Sequence, residues 1–127
     1  MVTGATMGSR CALEPAVYEL KARMCRALGD GTRLRIVDAL AERPLTVGAL
    51  CALLEAPQST VSRHLKVLRD QSLVVARHDG ASVWYSLADE RIVEMLDLLR
   101  GLLRTLLDES TRLAGSLGAG EEAAAPP

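Results

Sequence analysis

The sequence predicts a mainly α fold with one small β-hairpin, and three features predict it. Apolar residues recur at helical spacing in five stretches. Proline and glycine separate those stretches. One pair of β-rich runs flanks Asp79-Gly80, a strong hairpin signal. The 127 residues amount to one domain. Phe is absent and Tyr18, Trp84 and Tyr85 are the aromatic residues, so the core is expected from Leu, Val, Ile, Ala and Met.

Residues 1–12 are small and aperiodic and are expected to be flexible. Pro15 suits the first turn of a helix in which Val17, Leu20, Met24 and Leu28 recur up to Gly29. Asp30 suits the N-cap of a second helix, with Leu34, Ile36, Val37 and Leu40 inward and Pro44 past its end. Thr46 caps a short third helix carrying Val47, Leu50, Leu53 and Leu54, and Pro57 breaks it. A fourth helix is expected from Gln58 to Asp70, with Val61, Leu65 and Leu68 inward. The period then shortens, and residues 73–78 and 82–87 form the hairpin. Asp89 restarts helix. Ile92, Met95, Leu96, Leu99, Leu102, Leu103, Leu106 and Leu107 make a wide apolar stripe, while Arg91, Glu94, Asp97, Arg100, Arg104 and Asp108 keep the other side wet. The tail from Gly115 is expected to be disordered, leaving 13–114 as the ordered domain.

Helix, helix, short helix, basic helix, hairpin, long helix is the order of a winged helix-turn-helix. The turn at Glu55-Ala56-Pro57 sets the fourth helix at a steep angle, so that it protrudes far enough to enter a major groove. The stretch PQSTVSRHLKVLRDQSL holds Arg63, His64, Lys66 and Arg69 against one acid, Asp70, in a chain of net charge −1. The exposed side runs through Gln58, Ser59, Thr60, Ser62 and Arg63 and ends near Lys66. Short polar side chains there reach base edges and phosphates, and Arg pairs bidentately with guanine. A charge run is usually just a solvated helix face. Arg77 and His78 near the hairpin tip place a second basic element beside the first, which favours a site for double-stranded DNA.

RALGDGTRLRIVDAL, LTVGALCALLEAPQSTVSRHLKVLRDQSLV and a hairpin ending in WYSLADE resemble the ArsR/SmtB family of metal-sensing repressors. The likeness runs from about Arg26 to Glu90. It implies a homodimeric winged helix, joined through its first and last helices, that occupies a palindromic operator until an inducer releases it. The implied DNA contacts are Gln58, Ser59, Thr60, Ser62, Arg63 and His64, with Arg77 in the wing. Lys66 and His78 join them by position. For the dimer interface, the resemblance points to Leu20, Met95, Leu99, Leu102, Leu103 and Leu106. The stripe on the last helix is wider than a strict coiled-coil seam.

The family's ligand sites match this chain poorly. At the three positions of its CxCxxC motif stand Thr46, Gly48 and Cys51. Where its last-helix site has DxH, Asp89 is followed by Arg91, and that helix has no His. A paired-thiol site on the reading helix would need cysteines near Val67 and Gln71. Soft ions such as As(III), Hg(II) or Cd(II) prefer thiolate, and the resemblance implies a site between the N-terminal segment of one subunit and the short helix of the other, which makes Cys11 and Cys51 the candidate ligands. Cys25, after Met24, is read first as a packing residue. Thiol oxidation without a metal, or no small inducer, are the other trigger readings.

Three cysteines at wide spacing do not make a secreted disulfide framework. No apolar run nears the ~18–20 residues of a membrane span, and no signal-peptide core opens the chain. A cytoplasmic location without membrane contact is expected. No P-loop, dinucleotide glycine pattern or Cys–His–acid constellation appears, so an enzyme is not expected. A thiol enzyme, or an interaction module that has lost DNA binding, are the readings of another class.

Overall fold

Proline and capping side chains divide the chain into elements whose order follows the sequence. The structure, a computed structural model, describes residues 14–120, with side chains described to residue 116. Helix α1 (Pro15–Leu28) begins on its proline. Helix α2 (Gly31–Glu42) starts at Asp30, whose carboxylate accepts from the backbone N–H groups of Thr32 at 2.9 Å and Arg33 at 3.1 Å. Strand β1 (Leu45–Thr46) leads into helix α3 (Val47–Leu54), where the Thr46 hydroxyl accepts from Ala49 N–H at 3.2 Å. Helix α4 (Gln58–Asp70) follows the break at Pro57. Strands β2 (Val74–Asp79) and β3 (Ser82–Leu87) form the hairpin.

The sheet is antiparallel in the order β1-β3-β2, so the hairpin gains a third strand that the sequence did not announce. Leu45 opposes Tyr85 and Thr46 opposes Trp84. Gly80 has φ +65° and Ala81 has no positive φ, the pattern of a type II′ turn centred on Gly80-Ala81 rather than on Asp79-Gly80. Alternation along the strands puts Val74 inward, where it is 1 % exposed, and Val75 outward, where it is 47 % exposed.

Ile36, Val37, Leu40, Leu50, Leu54, Val61, Leu65, Leu68, Leu73 and Val74 form the core of residues 14–90. It is aliphatic, as the composition requires, and it holds no buried polar or charged residue among those described. α4 packs against α2, α3 and β2. Two left-handed residues make the tight connections around α4. Glu55, at φ 53°, ends α3 while Ala56 N–H returns to the Cys51 carbonyl at 3.1 Å. Ser72, at φ 60°, ends α4 in a Schellman motif. There Leu73 N–H returns to Leu68 O and Ser72 N–H to Arg69 O, each at 2.9 Å, with Leu73 and Leu68 both buried.

Helix α5 (Arg91–Gly120) is a separate unit and runs on past Gly115, where the sequence was expected to lose order. Along it Met95, Leu98, Leu99, Leu102, Leu103, Leu106 and Leu107 are exposed. On α1 Val17, Leu20 and Met24 are exposed as well, and Ala27 is the residue that α1 buries. No helix of the described residues is long and apolar enough to cross a membrane.

Candidate nucleic-acid interface

The exposed face of α4 is the complement of its buried face. Val61, Leu65 and Leu68 are at most 1 % exposed, and they fix the rotation of the helix about its axis. At 100° per residue, the opposite side then carries Ser59, Ser62, Arg63 and Lys66, all exposed. Gln58, also exposed, flanks this stripe toward the wing and lines a shallow cleft with Thr46, Val47, Gly48, Ser82 and Val83. Thr60 and His64, both half-buried, flank it on the side of α2. No side chain caps the N-terminus of α4; the Pro57 carbonyl accepts from Thr60 and Val61 N–H at 3.1 Å each. An uncapped helix N-terminus with small hydroxyl side chains suits phosphate oxygens.

The cations differ in how free they are. Lys66 Nζ sits 3.0 Å from the Asp70 carboxylate, an exposed pair that contributes little to stability but offsets the lysine's charge. Arg63 has no ion-pair partner among the described residues. Arg77 stands opposite Trp84 across the hairpin and is exposed. His78 opposes Val83, so the two basic wing residues occupy opposite faces of the sheet. His64 is held toward the protein: its Nδ1 lies 3.1 Å from Arg33 Nη1 on α2. Arg33 was not singled out from the sequence. Its partner is 31 positions away, which no local pattern encodes.

The two described thiols, Cys25 and Cys51, are both free. Cys51 is half-buried on α3. Cys25 is exposed on α1 of the single chain, and α1 turns Ala27 inward. Cys11 lies outside the described residues. Among the described residues no three His, Cys, Asp or Glu side chains come together to hold a metal ion.

A protruding polar helix set after a tight turn, beside a β-hairpin wing, defines a winged helix-turn-helix DNA-binding transcriptional regulator. Residues 30–75 match the model of the family described as "Bacterial regulatory protein, arsR family". The Mycobacterium tuberculosis HTH-type transcriptional regulator Rv0081 is 35 % identical over 108 residues, covering 84 % of this chain and 95 % of the relative. Its crystal structure superposes with TM-score 0.71 at 36 % identity, over 78 % of this chain and 99 % of that one. The solution structure of the homodimeric winged helix-turn-helix DNA-binding domain of Mb0332 from Mycobacterium bovis gives TM-score 0.70 at 27 % identity, over 78 % and 94 %. The transcriptional repressor SmtB homolog of Synechocystis is 44 % identical over 69 residues, 54 % of this chain and 52 % of its own. The chain belongs to the arsR family of bacterial regulatory proteins. That family consists of DNA-binding regulators, and the chain is not an enzyme.

The Asp30 cap carries a pH dependence. The Arg33 backbone N–H holds its carboxyl below the usual carboxylate range; the Arg33 guanidinium and the Thr32 N–H add to this, while desolvation opposes it. A lowered folded-state pKa means the folded chain binds fewer protons than the unfolded chain as acid is added. The contribution is complete above the ordinary carboxylate pKa and is lost as pH falls through the lowered one. Asp30→Asn keeps an acceptor for the cap without a titrating group. Urea midpoints measured between about pH 5 and pH 2 should therefore fall more steeply for the wild type than for Asp30→Asn. Parallel curves would show that Asp30 is not held below its ordinary pKa.

Proposed function

We propose that the chain is a repressor that occupies a palindromic operator as a homodimer and is released by a thiophilic metal or metalloid ion. One observation carries the DNA half of this reading: the exposed Ser59, Ser62, Arg63 and Lys66 stripe, backed by a fully buried Val61, Leu65 and Leu68. Ser and Thr at the helix start suit phosphates and base edges, and an unpaired Arg63 suits the N7 and O6 acceptors of guanine. Arg77 on the exposed wing adds a backbone or minor-groove contact. Gln58, Thr60, His64 and His78 complete the proposed DNA surface. The Synechocystis relative's name describes it as a repressor, which supports that direction of control here.

The exposed leucines support the dimer. Met95, Leu99, Leu102, Leu103 and Leu106 recur along α5 in contiguous turns, and Leu20 adds an exposed apolar side chain on α1. A run of that extent needs a cover, and a second copy places two reading helices about 34 Å apart, one turn of DNA. The Mb0332 domain is described as homodimeric. For the trigger, soft-ion chemistry favours thiolate, and the described residues alone do not supply a site. Cys11 must join Cys51, with Cys25 as the weaker candidate.

Arg63→Ala should weaken binding to the operator by about 1–3 kcal/mol and relax base preference at one position, read by fluorescence anisotropy on single-base variants. An equal loss on every sequence would make Arg63 a phosphate contact instead. Replacing Leu99 and Leu103 together by Lys should reduce the mass in light scattering from dimer to monomer; an unchanged mass would remove α5 from the interface. In the same anisotropy assay, arsenite, Hg(II) or Cd(II) should release the reduced wild type but not Cys11→Ser or Cys51→Ser. Release of the serine variants would dismiss the thiol site. Release by oxidant alone, reversed by dithiothreitol, would replace the ion by thiol oxidation.

A further inference from the structure

Arg33 joins three helices through one guanidinium. Its Nε donates to the Ala27 carbonyl at 2.6 Å and its Nη2 to the Arg26 carbonyl at 3.4 Å, both at the C-terminus of α1. Its backbone N–H serves the Asp30 cap of α2. Nη1 is left for the His64 ring on α4, at 3.1 Å. Basic groups at a helix C-terminus also meet the negative end of its dipole, so α1 favours the guanidinium where it stands. Asp30 beside it keeps its negative charge and supplies the counterion.

Taken as a hydrogen bond, this contact has one proton assignment. A guanidinium has donors only, so Nδ1 of His64 must be the acceptor. Nδ1 then carries no proton, the imidazole is neutral, and the single ring proton sits on Nε2. Among the described residues the ring makes no second hydrogen bond, so Nε2–H is an unspent donor. His64 stands one position after Arg63 and two before Lys66, on the flank of the exposed stripe.

We propose that Arg33 is a positioning residue for DNA binding: anchored on the carbonyls that end α1, it fixes His64 as the Nε2–H tautomer, which offers operator DNA a neutral hydrogen-bond donor. This rests on α4 being the reading helix. It assigns to a residue of α2, away from the reading stripe, a part in what the stripe presents. It also makes His64 a donor to an acceptor atom, a phosphate oxygen or the N7 or O6 of guanine, and not a charge contact.

The test has two arms on the full-length protein. Long-range ¹⁵N–¹H NMR of the free protein near neutral pH reports the tautomer without any DNA. The wild type should show His64 protonated at Nε2, and Arg33→Gln should show a mixture of tautomers. The second arm is a double-mutant cycle, read by anisotropy on a fragment of the gene's own upstream DNA. Arg33→Gln should weaken binding about threefold to tenfold, the size of one hydrogen bond, in the wild-type background. It should cost distinctly less when His64 is already Leu. His64→Gln, which keeps an acceptor for Arg33 and a donor beyond it, should lose less affinity than His64→Leu. A wild-type His64 carrying its proton on Nδ1, or an Arg33→Gln loss of equal size in both backgrounds, overturns the proposal. If Arg33→Gln weakens the fold, the wild-type NMR spectrum still decides whether the tautomer is as stated. Failure of the wild type to bind any DNA, with the Nε2–H tautomer present, overturns the DNA role of α4 and with it the purpose assigned here to Arg33.

Discussion

Burial of one side of α4 is the constraint from which the site follows. Val61, Leu65 and Leu68 are packed out of water among Ile36, Val37, Leu50, Leu54, Leu73 and Val74. Each such aliphatic side chain contributes roughly 1.5–3 kcal/mol by leaving water. Turning α4 by a single residue would bring Ser62, Lys66 and Arg69 into an aliphatic core with nothing to hydrogen-bond to. The helix therefore has one permitted rotation, and the identity of the residues facing outward is settled by those facing inward. The exposed polar stripe is a by-product of core packing, placed with the precision of the core.

Local electrostatics matter more here than the overall balance. The chain as a whole is nearly neutral, with net charge −1. Its exposed ion pairs, Arg23 and Arg26 with Glu19 and Lys66 with Asp70, each contribute little to stability. They do lower the number of uncommitted cations. Arg63 and Arg69 lie outside these pairs on α4, and Arg63 sits in the stripe of small polar residues where a planar donor fork is most discriminating.

Most of the fold was legible because its signals are local. Asp30 and Thr46 cap the helices they were expected to cap, and α4 has the bounds its apolar period gave. β1 was missed because two residues are too few to show a period; Leu45-Thr46 looks the same as a loop leading to an N-cap. The turn was read one residue early because Asp-Gly is a strong signal for a different turn type, while the observed one needs a positive φ only at Gly80. α5 outran its expected end because glycine and serine lower helix propensity without forbidding helix. The stripe on α4 could be listed from the sequence, but not the partners of its members. That Lys66 is shared with Asp70 follows from an i, i+4 spacing; that His64 belongs to Arg33 follows only from the fold.

Leu73 is where α4 meets the wing, and it is occupied on every side. Its N–H closes the helix onto Leu68, its carbonyl accepts from Ala88 N–H at 3.0 Å at the far end of β3, and its side chain is 1 % exposed. A single residue thus ties the helix end to the start of one strand and the end of the other. The spacing between what the helix touches and what the wing touches is accordingly a property of the protein alone. In the proposed complex, DNA whose local twist or groove width does not match that spacing has to deform to be held, at an energy set by its own stiffness. Base pairs that no side chain reaches will then influence affinity through how readily they yield.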